Sequence, residues 1–478
     1  MKRPKLRALV PLLLVASACA SGPDYRKPEI LTKADQKPEP FLSANTGAFS
    51  TEAPMTHWWT LYQDAHLNGF IEQALKANTD LRIAYANLER AQAYVTENQG
   101  AQLPQTTIDA GESRGRPSLY AVEVPATEFT MNIWHAGGAI SYDLDFFGRL
   151  RRLVEASRAD AEAAQAAYEL TRVHVVAETV RSYVEICSSG RQLEVALRSV
   201  KSQEQSYAMV EHGFEAGHGT SLDVERAHAL LEQLRSAVPI YENRRKLALF
   251  RLATVLGMVP HAFPPEIENC NAPPQVSTPI PVGDGVALIR RRPDIRQAER
   301  QLAAQNARIG AAIASLYPSV SLGLSGGTTA LTASDMASGP ATYWSLGPLI
   351  HWNFPNIIAA RARIRESEAS TRAALAAFDG TVLTALRETE SALSTYAHEL
   401  SRHHSLLEAQ KSSAAALEIA QKMYRAGAGS FYDVLDAERT FASSDAALAQ
   451  SEAELADGRV TLFLALGGGW EPASSSSQ

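Results

Sequence analysis

With 478 residues, the chain has room for two or three ordinary domains or one elongated one. It is 45% hydrophobic and 20% charged with a formal net charge of −7, so it lacks the basic surface that a nucleic-acid partner needs. No apolar run beyond residue 20 approaches the roughly 20 residues of a spanning helix, so a membrane crossing has to use strands or a lipid anchor.

The first element is an export signal over residues 1–18. Lys2, Arg3, Lys5 and Arg7 form a basic region, Leu9–Val15 is a short apolar core, and V-A-S-A-C follows, ending at Cys19. This resembles a bacterial lipoprotein signal, in which Cys19 is lipidated and becomes the new N-terminus. An ordinary secretory signal with an incidental cysteine is the alternative. Ala16 stands where the lipoprotein pattern prefers Leu. Ala20, in place of Asp, favours sorting to the outer membrane by resemblance to that class. An extended segment, 19–56, follows. Two cysteines remain, Cys187 in a helical stretch and Cys270 in a proline-rich connector. In an oxidising compartment they either pair as a disulfide or stay as two buried thiols.

The body of the chain is a tandem repeat, 57–273 and 284–470, with a proline-rich linker at 274–283 and a Ser-rich tail at 471–478. Asp80-Leu81-Arg82 recurs as Asp294-Ile295-Arg296. Gly217, Gly219, Asp223 and Val224 recur as Gly427, Gly429, Asp433 and Val434, roughly 210 residues on. Each copy opens with a helix, about 64–102 and 284–316, ending at a proline that pushes the chain into extended structure.

A β-hairpin is expected next, about 103–145 and 317–355. Val320, Leu322 and Leu324 alternate with Ser319, Ser321, Gly323 and Ser325, and Trp134 to Leu144 and Trp344 to Phe354 repeat the pattern. Such alternation suits a transmembrane hairpin or a soluble half-buried one, and the export signal favours the first. Helical hairpins then span 149–257 and 357–466. Their descending helices, 149–212 and 357–425, contain no proline and at about 1.5 Å per residue run roughly 95–105 Å. Leu386, Leu393, Leu400 and Leu407 mark a coiled-coil seam. The return helices, 220–257 and 430–466, are shorter, and Pro239 is expected to kink the first where the second has Ala449. The fold class is therefore mainly helical with a membrane β-barrel. Four strands per chain cannot close a barrel, which takes about eight or more. A dimer with eight strands or a trimer with twelve satisfies that count, and a conduit needs the wider one.

Four motifs carry a family resemblance over essentially the whole chain: C-A-S-G-P-D-Y-R-K-P at Cys19–Pro28, L-D-F-F-G-R at Leu144–Arg149, R-R-P-D-I-R-Q-A-E at Arg291–Glu299, and Y-R-A-G-A-G-S-F-Y-D-V-L-D-A-E-R from Tyr424. The chain resembles the outer membrane factor family, the TolC/OprM/NodT-like efflux channels, in its lipoprotein branch. That resemblance implies a homotrimer with a 12-stranded β-barrel in the outer membrane and a 12-helix periplasmic tunnel. It also implies a periplasmic adaptor and an inner-membrane RND-type pump as partners, with drugs or other small molecules as cargo. One departure is Ile357-Ile358-Ala359 where the first copy has Phe147-Gly148-Arg149.

No enzyme constellation stands out, and no metal or cofactor is expected. His398-Glu399 with His403 misses H-E-x-x-H because Arg402 takes the ligand position. Asp433 and Asp436 have two readings. One is favourable negative charge at a helix start. The other is a pore constriction made of carboxylate rings, which the family resemblance places at these two positions. Gly217, Gly219, Gly427, Gly429 and Ser430 are expected to form tip turns, which the resemblance implies meet the adaptor, and Tyr424 and Arg425 are candidate gate links. The function expected is a passive trimeric exit duct, gated at its periplasmic tips. Protein or oligosaccharide secretion on the same architecture, and a pore-free coiled-coil lipoprotein, are the alternatives.

Overall fold

The computed structural model describes residues 21–28, 41–44, 47–116, 130–276, 278–352, 354 and 356–468. They fall into two units. One draws on the segment up to Lys27, Asn87–Gln165 and Gln297–Asp379; the other on Pro28–Ala86, Ala166–Arg296 and the chain from Gly380 onward. In chain order the first round of elements is β1 (Phe49–Ser50), α1 (Ala65–Ala77), α2 (Thr79–Gly100), β2 (Gln105–Gly115), β3 (Met131–Asp143), α3 (Arg149–Glu215), α4 (Ser221–Arg235) and α5 (Val238–Val255). The second is β4 (Ile280–Pro281), α6 (Gly285–Arg291), α7 (Pro293–Ala314), β5 (Ser319–Ala330), β6 (Thr342–His351), α8 (Ile357–Arg425) and α9 (Phe431–Ala465).

The helices expected over 64–102 and 284–316 are each broken in two, at equivalent repeat positions. Asn78 Oδ1 accepts from the N–H groups of Asp80 (2.9 Å) and Leu81 (3.1 Å), and its Nδ2 donates to Val255 O (3.1 Å). It thus starts α2 and ties it to the end of α5. In the second copy Pro293 opens α7, and helix is disfavoured at Arg292 before it. The kink expected at Pro239 is a full break. Helix α5 restarts with the proline in its first turn, where a missing N–H does no harm, while Ala449 lies within an unbroken α9.

In the first unit, β2, β3, β5 and β6 form a four-stranded antiparallel sheet in that order. Register sorts its side chains. Ile108, Trp134, Ile140, Tyr142, Leu322, Leu324, Trp344, Leu346 and Ile350 share one face; Thr107, Asp109, His135, Ser141, Ser321, Ser325 and Ser345 share the other. The apolar face is bare, with Ile108 86% and Trp344 79% exposed. Among the described residues, strands β2 and β6 each have a strand partner on one side only. The two strand-to-helix corners differ. Before α3, Asp145 (φ 34°) accepts from the N–H groups of Leu150 and Arg151, both at 3.0 Å, and Gly148 turns the chain at φ 76°. Before α8, Ala360 N donates to Asn356 O at 3.3 Å. The segment from Ser21 to Lys27 is strapped onto this unit. Ser21 N donates to Phe147 O (3.2 Å), buried Arg152 binds Asp24 (2.7 Å) and Glu155 (2.7 Å), and Tyr25 Oη donates to Glu299 (2.6 Å).

In the second unit, Trp58 stacks on Phe463 with ring centroids 4.5 Å apart, in a core that includes Leu67, Ile71, Val180, Leu252, Leu393 and Val460. Leu393 is fully buried, and Leu386 and Leu400 pack against the same cluster, so the seam is set by this core. Cys187 and Cys270 are disulfide-bonded, which holds the proline-rich connector on α3. Gly190 permits that approach, because a Cβ there would lie 2.2 Å from Cys270 O. Arg292 closes the unit. Its guanidinium donates to Ala465 O (2.9 Å), Asp294 (2.7 Å) and Glu388 (2.9 Å). Burial opposes its charge, but the hydrogen bonds and charges of Asp294 and Glu388 more than offset that and raise its pKa above the ordinary arginine value. Arg292→Ala removes the cation that Asp294 and Glu388 share, leaving Ala465 O to Thr389 Oγ1 and Asp294 to the Ile295 N–H, and is expected to lower stability by about 3 kcal/mol. A chemical denaturation midpoint equal to that of the unmodified chain contradicts this.

Candidate functional site

The two interrupted helices end in turns that pack together. Val210 and Ala227 from the α3–α4 hairpin and Phe431 and Val434 from the α8–α9 hairpin bury into one small apolar cluster, with Tyr424 against it. Arg226 lies over the Tyr432 ring, 5.5 Å from its centroid, and adds a cation–π link between the hairpins. The predicted turn residues of both copies are thereby brought side by side.

Each turn reverses the chain with left-handed glycine and restarts it with a capped helix. Gly217 (φ 78°), Gly219 (φ 109°) and Gly427 (φ 70°) occupy backbone conformations that other residues rarely adopt. Gly429 differs from its counterpart. Its φ is not left-handed, and its lack of a side chain matters because a Cβ would sit 3.2 Å from Met423 Cβ. Ser430 and Asp433 form a reciprocal capping box. Ser430 Oγ accepts from Asp433 N (3.2 Å), while Asp433 Oδ2 accepts from Ser430 N (3.0 Å) and Ser430 Oγ (2.7 Å). The hydrogen bonds from the Ser430 hydroxyl and backbone hold the Asp433 carboxyl below the usual range. Thr220 and Asp223 repeat the side-chain half of this arrangement, with Thr220 Oγ1 accepting from Asp223 N (3.2 Å) and donating to Asp223 Oδ2 (2.7 Å).

Beyond the caps the copies diverge. Asp436 is partly exposed and paired with Arg439 at 2.6 Å. The residue at its place in the first copy is Arg226, the cation stacked on Tyr432. Tyr424 meets Phe431 edge-on at 5.7 Å, and Arg425 lies exposed on the last turn of α8. The sequence sets Arg226 against Asp436 through the repeat alignment but gives neither Arg226 nor Tyr432 a role. It also gives no role to Glu438, a carboxylate only 5% exposed just inside the turn. Cys19 lies outside the described residues. Among the described residues no group of three or more His, Cys, Asp or Glu side chains is placed to hold a metal ion. His398 Nδ1 bonds Ser394 O (2.7 Å), and Arg402 is paired with Glu399 and Glu454.

A family model described as outer membrane efflux protein matches residues 70–258 and 286–468, one match for each repeat. The chain is 30% identical over 468 residues to outer membrane protein OprJ of Pseudomonas aeruginosa, covering 97% of this chain and 96% of that one. It is 27% identical over 464 residues to nodulation protein T of Rhizobium leguminosarum bv. trifolii, covering 97% of each. The solved outer-membrane channel OprN is 36% identical, with a TM-score of 0.88 over 95% of this chain and 100% of that one.

Removing the Ser430 hydroxyl leaves a helix start without its cap. Ser430→Ala is expected to weaken the turn by about 1 kcal/mol. The depressed carboxyl makes the cap strongest above the ordinary carboxylate range, and its contribution is lost as pH falls through the depressed value. Faster amide exchange in residues 426–434 of the variant, largest near neutral pH, is the readout; unchanged exchange contradicts the assignment.

Proposed function

We propose that this chain, which belongs to the outer membrane efflux protein family, assembles as a homotrimer whose pooled strands close a twelve-stranded barrel in the outer membrane. The product is a passive exit duct for drugs or other small molecules. An inner-membrane RND-type pump supplies them through a periplasmic adaptor, so the duct itself needs no cofactor. The observation that carries this reading is a four-stranded sheet with one apolar face and two open edges in the same chain as two long helical hairpins. Three copies supply enough strands for a water-filled interior, where two copies give a barrel filled by its own side chains.

The turns are the gate. Asp433 and Asp436 of each copy form rings of carboxylates that narrow the duct and favour cations. Tyr424 and Arg425 supply polar links between neighbouring copies in the closed state. The six turns of the trimer, built on Gly217, Gly219, Gly427, Gly429 and Ser430, face the adaptor. Cys19 carries the acyl chains that anchor the chain to outer membrane lipid. The strap from Ser21 to Lys27 supports that role by tying the following residues to the corner at Phe147.

In planar bilayers the purified assembly is expected to conduct. Asp433→Ala combined with Asp436→Ala is expected to raise its single-channel conductance and weaken its preference for cations. An assembly silent with and without the substitutions contradicts the duct. Cys19→Ala is expected to abolish incorporation of labelled palmitate, and full labelling of that variant refutes the anchor.

A further inference from the structure

Inside the turn, a cavity of about 190 Å³ lies among α3, α4, α8 and α9. Glu438 of α9 faces it. Its Oε1 accepts from the hydroxyls of Ser206 (2.7 Å) and Ser202 (3.2 Å), both on α3, but its Oε2 has no hydrogen-bond partner. Gln203 of α3, 1% exposed, faces the same cavity. Its Nε2 donates to Ala227 O (2.9 Å), which leaves Oε1 without a partner as well. Two buried acceptor oxygens therefore line one cavity, and an ionised Glu438 offers neither a donor.

The surrounding charges do not neutralise Glu438. From α3 comes Arg198, which is engaged by Asp445 of α9 at 3.3 Å; Asp445 also accepts from Gln410 Nε2 of α8 at 3.3 Å. Helix α4 contributes Leu234, and α8 adds Leu417 besides Gln410; none of these titrates. The cavity thus carries one carboxylate more than it has cations. Burying that charge without a counter-cation is unfavourable even with two hydroxyl donors. A proton on Oε2 removes the charge and turns one stranded acceptor into a donor within the cavity that Gln203 also lines.

We propose that Glu438 is the proton-binding site of a lock that holds the second helical hairpin against α3 just inside the turn. As a regulator of the gate, the lock rests on the duct reading; as a site of proton binding, it does not. Burial, outweighing the Ser206 and Ser202 hydrogen bonds, pushes the Glu438 carboxyl above the usual range. For a raised group the stability gained is complete below the ordinary carboxylate value and is lost as pH rises through the raised one. Acid therefore fastens the hairpin and alkali loosens it.

The test uses the full assembly and two readouts. Infrared spectroscopy across a pH titration is expected to show a protonated carboxyl band that persists above the ordinary carboxylate range and that Glu438→Gln lacks. The melting temperature of the unmodified chain is expected to fall as pH rises from the ordinary carboxylate value through the raised one, and Glu438→Gln, whose amide is a permanent donor, is expected to lose that decline. Should that variant not fold, Ser206→Ala withdraws a hydrogen bond from the ionised form and is expected to move the decline to higher pH. A band that persists in Glu438→Gln, or identical pH slopes, overturns the proposal. So does a melting temperature that tracks sodium concentration at fixed pH, which identifies a bound cation in place of the proton. Conductance separates the two readings. Loss of an alkaline rise in Glu438→Gln ties the lock to the gate. Silence in both chains, with the infrared and melting results intact, removes the duct and leaves the proton site.

Discussion

In a lipid environment every backbone N–H and C=O has to be satisfied within protein, and the edges of β2 and β6 are the places where this chain fails to do so alone. Much of the architecture depends on that shortfall. The sheet already has a lipid-compatible face, because the antiparallel register stacks Ile140 on Leu324 and Leu324 on Leu346, placing small polar residues behind them. What it lacks is closure, which further copies of the same four strands can supply. The repeat makes this economical. Strands β3 and β5, one from each copy, already pair with each other, so an assembly continues a contact that exists within the chain.

The second constraint is reversal of the long helices without exposing unsatisfied helix ends. Both copies use left-handed glycine followed by a hydroxyl–aspartate cap, Thr220 with Asp223 and Ser430 with Asp433. The cap position thus has a local reason for an acid in each copy. Asp436 lies outside the capping box, its local partner is Arg439 one turn on, and its counterpart is the cation Arg226. This asymmetry is the reason we propose the constriction on the second copy. The neighbouring Arg226–Tyr432 contact shows the first copy bracing the second with positive charge.

Much of this was legible in the sequence. The repeat offset, the alternation in 319–325 and the proline-free runs all reflect regular periods that a single strand or helix imposes on its residues. Helix α8 runs over the expected 357–425 for that reason. The breaks at Asn78 and Arg292 were less legible, since they depend on a tertiary partner, Val255 O, and on a proline that also reads as a tolerated helix start. The difference between Gly219 and Gly429 could not be read either, because identical residues serve a dihedral need in one turn and a packing need in the other. Glu438 sits in a polar-looking stretch, D-A-E-R-T, and its burial appears only once α3 is packed against it.

The measurement that tests closure most directly is the mass of the intact assembly released from detergent micelles. Three chains, with no stable monomer, is the predicted result. A folded monomer, or an assembly of two chains, contradicts the account, because four or eight strands do not enclose a water-filled duct.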